Sequence, residues 1–550
     1  MKETLTAITY NFSKQKTSLY LIAFGISIFL WLASIPVSGQ LPYQVRPGDN
    51  ATRYYVDVTS ELLPYDPELH ALDALFLDVD QDGDLDVILA VEHGANRLYI
   101  NDGKGKLSWK KGAFGDVPHD SEHVLSADFN RDGFPDVVFV AEDDRFHQLF
   151  LGSAGGTFKD VSDRLPAKSE GNGLAIGDVN GDGLPDIVVG NTSERRGPNT
   201  EETSSQNFLW LNDSKKPGFF IDVTKTHLPQ VNDQTQDIKL FDLDGDGDLD
   251  MVVANQDPPN RLLINDGKGH FSEAFDRLDL KVPMETRMVQ VFDANGDNKP
   301  DLIFFNLTSN AGRWEKDPQT RLLINDGNGK FKDETTVRLP SHTFSSWGGK
   351  IIDFNNDGHP DILVGAIQVP GFVPLQAKAW MNDGKGNFRD ATLEVIPSLT
   401  IGRHWGMAVG DLTGDGNEDI FIGAWGTQSR LLIKRTGQKI SSEQSKSDKQ
   451  KKDNMNIHLT VIVKSKPEHL AEVQAVLEDM VQQTRKEEAC LQYELYQNTE
   501  DKNVFVFHET WRDKEGMEIH GQQPYIKKFM ELAKEKFQEV PQIIFTQKLQ

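Results

Sequence analysis

At 550 residues the chain exceeds what one hydrophobic core organises, so two or more domains are expected. Its formal net charge of −26 argues against nucleic acid as a partner. A single cysteine, Cys490, excludes a disulfide framework within the chain.

Residues 1–39 begin polar, with Lys2, Lys14 and Lys16, and turn almost wholly apolar over 19–35. Val37-Ser38-Gly39 then sets small residues before Gln40. This pattern reads as a signal peptide with a long leading region. The rival reading is an uncleaved membrane anchor, because the apolar run sits at the lower edge of spanning length. Both readings export the protein, to a periplasm or to the exterior. Without disulfides, bound metal would have to supply rigidity there.

Residues 54–435 form a repeat region. Its clearest unit is Asp242-Leu-Asp-Gly-Asp-Gly-Asp-Leu-Asp250, in which oxygen ligands recur at every second position and a last carboxylate closes the loop. A hard cation such as Ca²⁺ takes about six to eight oxygens, and an acidic loop with a Gly at its sharp turn can wrap one. The frame occurs seven times, at intervals of 50 to 64 residues. The first two copies offer Asp78, Asp80, Asp82 and Asp86, then Asp128, Asn130, Asp132 and Asp136. The third and fourth offer Asp178, Asn180, Asp182 and Asp186, then Asp242, Asp244, Asp246 and Asp250, with a backbone carbonyl expected from Asp248. The fifth and sixth offer Asp293, Asn295, Asp297 and Asp301, then Asp353, Asn355, Asp357 and Asp361. The seventh offers Asp411, Asp415 and Asp419. Seven bound Ca²⁺ would offset about half of the net charge, so the acidity reads as metal sites. Their expected role is structural, to rigidify hairpins.

Each copy sits between two strand patterns. In the second unit these are His123–Phe129 and Asp136–Ala141, followed by Gln148–Gly152 and Thr157–Val161. Four short strands repeated seven times predict a seven-bladed β-propeller. The last unit lacks its fourth strand, and the missing piece, Tyr54–Thr59, stands at the front of the region. The N-terminal strand is therefore expected to complete the seventh blade and remove exposed edges.

The units resemble the FG-GAP, or VCBS-type, repeats of integrin α-subunit propellers and of secreted bacterial proteins. The resemblance implies one Ca²⁺ per blade, held between the first and second strands. Two copies depart from the pattern. Asn298 replaces the turn Gly of the fifth, and Asn tolerates a left-handed backbone. Thr413 replaces a ligand in the seventh, leaving that site weak or empty.

The metal loops occupy one face. Long insertions at Asn191–Gln206, Asn306–Gln319 and Ile367–Ala377 fall on the other, where binding is expected. Six residues before each first loop Asp stand Leu72, Glu122, Asn172, Gln236, Arg287, Trp347 and Trp405, which are expected to ring a central funnel. Arg287, Trp347, His404 and Trp405 are the candidate ligand-binding residues, for a sugar, a peptide or a small anion. The competing reading is that the tryptophans pack blades together. No acid/base pair specifies hydrolysis, so the propeller reads as a binding or scaffold module with an unknown protein or carbohydrate partner.

Residues 436–455 are rich in Ser, Gln and Lys and read as a linker. Residues 456–550 show the order β-α-β-β-α-β, an α+β ferredoxin-like pattern. Glu509–His520 followed by Gln523-Pro-Tyr525 is similar to the antibiotic biosynthesis monooxygenase family. That resemblance implies oxygenation of a quinol-like small molecule without an organic cofactor, and pairing into a homodimer with sheets facing each other. It points to His520 as the base and to Trp511 in the pocket wall, with Tyr525, Glu509 and His508 as weaker candidates. The alternative function is a non-enzymatic, Ca²⁺-dependent adhesion or scaffold protein that this domain merely dimerises.

Overall fold

The computed structural model describes residues 50–192, 205–256, 259–280, 284–309, 320–369, 371–398, 400–435, 457–499, 501–512, 514–521, 523–538 and 541–546. The chain divides into two compact units, 1–436 and 437–550. The apolar N-terminal segment and the linker fall outside the described residues, as do most of the first two long insertions. Among the described residues no helix is long and apolar enough to cross a membrane.

The first unit is a ring of seven sheets, antiparallel but for the short parallel pairing of Leu278–Asp279 with Phe331–Lys332. The innermost strands are Ala71–Leu77, Ser121–Ala127, Gly171–Gly177, Thr235–Phe241, Met284–Phe292, Ser345–Ile352 and His404–Gly410. Each packs beside the next, and the last packs beside the first, which closes the ring. The second strand of every blade begins at the last Asp of a metal loop and continues as a largely apolar run, buried among the described residues except for Gln368 at the end of the sixth, because a sheet lies on either side. The core is accordingly distributed. Seven apolar clusters form, each shared by two consecutive blades.

Closure is made by the N-terminal strand, as its sequence match predicts. Tyr55–Asp57 pairs antiparallel with Arg430–Lys434, with Tyr55 opposite Lys434 and Asp57 opposite Leu432. The Thr59 hydroxyl accepts the Leu431 N–H at 2.9 Å, as Thr224 does for Leu209 at 3.0 Å in the third blade. The third long insertion folds back as a strand, Val373–Gln376, between Ile367–Gln368 and Ile401–Gly402. Its turn brings Phe372 toward the axis.

In the second unit, strands β1 (Ile457–Lys464), β2 (Cys490–Gln497), β3 (Val504–Trp511) and β4 (Gln542–Thr546) form one antiparallel sheet in the order β2-β3-β1-β4. Helices α1 (Leu470–Thr484), α2 (Lys514–Gly521) and α3 (Pro524–Lys536) cover one face. Val463, Phe505, Phe507 and Trp511 point to that side and meet Val473, Leu477 and Phe529. Strand alternation sends His458, Thr460, His508 and Thr510 to the other face, where His458 pairs with Thr510 and Thr460 with His508.

Tyr55 is fully buried, donates its hydroxyl to the Glu418 carbonyl at 3.0 Å and meets Phe354 edge-on. Replacing it with Ala should cost about 3–5 kcal/mol, as large aromatic truncations do. Urea denaturation followed by intrinsic fluorescence should show the propeller transition moved to lower denaturant.

Candidate functional site

Every metal loop has the same backbone. The fourth position is left-handed in all seven, at Gln81, Arg131, Gly181, Gly245, Gly296, Asn356 and Gly414. The sixth is left-handed as well, including Asn298 at φ 61° where the other copies carry Gly. Two such turns curl the chain until the amides of the sixth position and of the fourth or fifth point at the first Asp. Asp78 accepts from Asp82 at 3.1 Å and from Gly83 at 3.0 Å, and Asp242 accepts from Gly245 and Gly247.

The curl gathers carboxylates. One oxygen each of Asp78, Asp80 and Asp82 lie within 4.8 Å of one another, and the same holds for Asp242, Asp244 and Asp246. Asp80 Oδ1 and Asp244 Oδ1 are buried there without a hydrogen-bond partner. Crowded acceptor-only oxygens with no donor are the donor set a hard divalent cation fits. In the seventh loop the Thr413 hydroxyl donates to Asp419 at 3.1 Å.

The last Asp of each loop has a second attachment. Asp250 Oδ2 accepts the Leu243 N–H at 3.1 Å and its Oδ1 accepts the Asn265 N–H at 3.0 Å. The same two bonds form at Asp86, Asp136, Asp186, Asp301, Asp361 and Asp419. Burial pushes these carboxyls up, to about 6 at Asp250 and about 7 at Asp136, Asp186 and Asp361. Asn265 extends the link. Its side chain donates to Leu249 in its own blade and to Val179 in the preceding metal loop, at 3.1 and 2.9 Å. Asn101, Asn212, Asn325 and Asn382 do the same. This asparagine clasp is absent from the motif reading. It was visible as the Asn of the recurring IND and MND ends of the third strand.

On the other side of the ring, all seven residues chosen by their offset from the metal loops line one cavity of about 240 Å³. Trp347 and Trp405 are half-buried with rings in contact, Trp347 meets Phe372, and the Arg287 guanidinium lies 4.8 Å from the Trp347 ring centre. The tryptophans thus both pack together and face the cavity. His404 does not line it. Strand alternation turns His404 into the blade, where it is fully buried and held neutral, its pKa lowered to about 3 by burial and by Arg430. The opposite wall carries Glu92, Asp120, Glu122, Glu142 and Asp143. These carboxylates argue against the small anion considered from sequence.

In the second unit, His520 is brought beneath the sheet by α2. Its ring lies 4.5 Å from that of Trp511, and its Nδ1 is 2.9 Å from Glu487 Oε1, which also accepts the Tyr525 hydroxyl. A carboxylate can only accept, so Nδ1 carries the hydrogen and Nε2 is the basic nitrogen. Burial lowers the His520 pKa below its ordinary value, and Glu487 partly offsets that. Trp511 is fully buried and donates its indole N–H to Glu509 at 3.0 Å. Burial raises Glu509 to about 7. His508 projects from the opposite face of the sheet, apart from this group. Glu487 was missed in sequence, since it precedes His520 by 33 residues in an unremarkable charged run.

Comparison with known proteins agrees with both halves. The antibiotic biosynthesis monooxygenase family model matches residues 457–532, and an FG-GAP-like repeat model matches 78–139, 128–189, 242–304 and 307–364. A Bacillus subtilis protein named "Putative monooxygenase YcnE" is 33% identical over 79 residues, covering 14% of this chain and 83% of that protein. The C-terminal unit belongs to the antibiotic biosynthesis monooxygenase family. Cartilage acidic protein 1 of Xenopus tropicalis is 27% identical over 243 residues, or 42% of this chain, which spans only a third of that relative's length. A crystal structure titled as an antibiotic biosynthesis monooxygenase is 23% identical, with TM-score 0.17, covering 17% of this chain and 99% of that one.

Asp250→Ala would leave the buried Leu243 and Asn265 amides without acceptors, at about 1–3 kcal/mol each. Asp246→Asn leaves both bonds in place. Urea melts in EGTA should therefore show a large loss for the first variant and little for the second.

Proposed function

We propose that the protein is an exported, Ca²⁺-stabilised binding propeller carrying a cofactor-independent monooxygenase for quinol-like or anthrone-like small molecules. The observation that carries the enzymatic half is the neutral, Glu487-oriented His520 beside Trp511. Its Nε2 would take the acidic proton of the substrate, giving an electron-rich anion that reacts with O₂ directly. For an anthrone, the ring methylene exchanges two hydrogens for one oxygen and the second oxygen leaves as water. The substrate supplies all the electrons, so the protein need only orient, deprotonate and shield it. Tyr525 holds Glu487, and Glu487 holds the imidazole tautomer.

Ca²⁺ would be held by the first, third, fifth and ninth side chains of the first six loops, and would neutralise the gathered carboxylates. The apolar segment 19–35 supports export. Tyr496, about half exposed on the outer strand β2 with its ring against His508, supports homodimer pairing through the uncovered sheet face.

Three outcomes are expected. Purified protein should consume O₂ with a panel of quinols and anthrones, and His520→Ala should lose at least about 100-fold of that rate. Equal uptake by both proteins would sink the reading. Because the imidazole must be neutral, the rate should rise with pH through a limb below the ordinary His value. Glu487→Gln removes the charge that favours imidazolium, so the limb should move to still lower pH. In calorimetry, EGTA should lower the propeller midpoint and excess Ca²⁺ should restore it. A midpoint indifferent to both would reject the metal assignment.

A further inference from the structure

The propeller cavity has two unlike walls. Blades one and two contribute the carboxylates, blades six and seven contribute the indole and phenyl rings, and blade five contributes Arg287. We propose that this funnel is a binding site for an organic ammonium cation, held between the indoles of Trp347, Trp405 and Trp425 and the carboxylates around Glu122. The inference rests on reading the propeller as a binding module, and names its ligand class.

Four observations support it. First, Glu122 lines the cavity, and burial and nearby charges, with no hydrogen bond to its carboxylate among the described residues, set its state. Burial and the like charges of Glu142, Asp120 and Glu92 hold its carboxyl well above the usual carboxylate range although Arg287 offsets part of this, and a further cation would relieve the rest. Second, Asp120 is only 4% exposed. Its Oδ2 accepts the Asp143 N–H at 2.8 Å, whereas Oδ1 makes no hydrogen bond and faces His93 Nδ1 at 3.1 Å. Third, the aromatic wall already holds a cation of this chain. The Arg287 guanidinium lies over Trp347 and is itself neutralised by Glu285. Fourth, Trp425 and His70 both reach Glu92, which locks an indole beside the acidic wall. Ring faces attract cations, most strongly when water is excluded, and fixed carboxylates opposite them add charge.

The same carboxylates could be imagined around a metal ion, since Asp120, Glu122 and Glu142 come within 4.8 Å of one another. The rest of the cavity argues otherwise. Indole rings offer a hard ion no lone pairs. A volume of about 240 Å³ holds an amine head group with several carbons, far more than one ion needs.

Titration calorimetry on the Ca²⁺-loaded protein tests this with choline and its uncharged isostere 3,3-dimethylbutan-1-ol. Choline should bind at least about tenfold more tightly, as one or two cation–π contacts beside a carboxylate would require. Glu122→Gln and Trp405→Leu should each weaken choline by about tenfold and leave the Ca²⁺-dependent melting midpoint in place. Equal affinity for the two probes would mean a merely apolar pocket, and overturns the inference. So does an absence of heat from choline at about 10 mM. Glu122-dependent binding of Mn²⁺ with no response to choline would assign the site to a metal instead. In each failing case an unchanged response to EGTA would keep the Ca²⁺-propeller reading intact and isolate the failure to the funnel.

Discussion

Seven buried carboxylates organise the first unit. Each ends a metal loop and begins a second strand, and each fastens two backbone amides of its own blade. An aspartate in that position would be expensive without those donors. With them it fixes where the loop stops, how the third strand registers, and where the clasping asparagine points. Asn265 then ties its blade to Val179 in the loop before it. The rim of the propeller is thus a chain of side-chain bonds that links blades two to seven and blade seven to blade one, independent of the apolar clusters between blades.

The clasp is adapted where the sequence departs. Lys434 stands where the asparagine would be in blade seven, and its amine reaches the Asp353 carbonyl of blade six at 2.7 Å. Gly152 takes the place in blade two. A Cβ there would lie 2.1 Å from the Pro135 carbonyl, so no side chain fits. With one rim fixed in this way, the opposite rim is free to vary. Its inner-strand ends, with Phe372 of the third insertion, supply the unlike walls of the funnel.

Much of this was legible in the sequence. Period, strand order and the displaced closing strand are written as repeated local patterns, and alternation along a strand lets one offset locate all seven funnel residues. Alternation also explains His404, which is adjacent to Trp405 and therefore faces the opposite way. Other features depend on contacts between distant segments. The acidic wall joins Glu92 and Glu142, each six residues past the last loop Asp of its blade, to Asp120 from the loop before the second inner strand. The left-handed turn at the fourth loop position was hidden because Gln81 and Arg131 occupy it without glycine. Glu487 reaches His520 only after α1, β2 and β3 have folded together. In the second unit the alternating strands were plain, and the partner that sets the histidine tautomer was not.

The closing strand has a mechanical consequence. Tyr55–Asp57 runs antiparallel to Arg430–Lys434, so the first and last residues of the propeller leave from the same edge, with the Arg435 N–H bonded to the Tyr54 carbonyl at 2.8 Å. Tension between whatever holds the N-terminus and whatever holds the second unit is carried by this pair of strands. It loads their hydrogen bonds one after another, as a zip is opened, and never all at once in shear. A ring closed by one short strand therefore has a designated point of release under force, and opening there would uncover Arg430–Lys434 of blade seven before any other blade is disturbed.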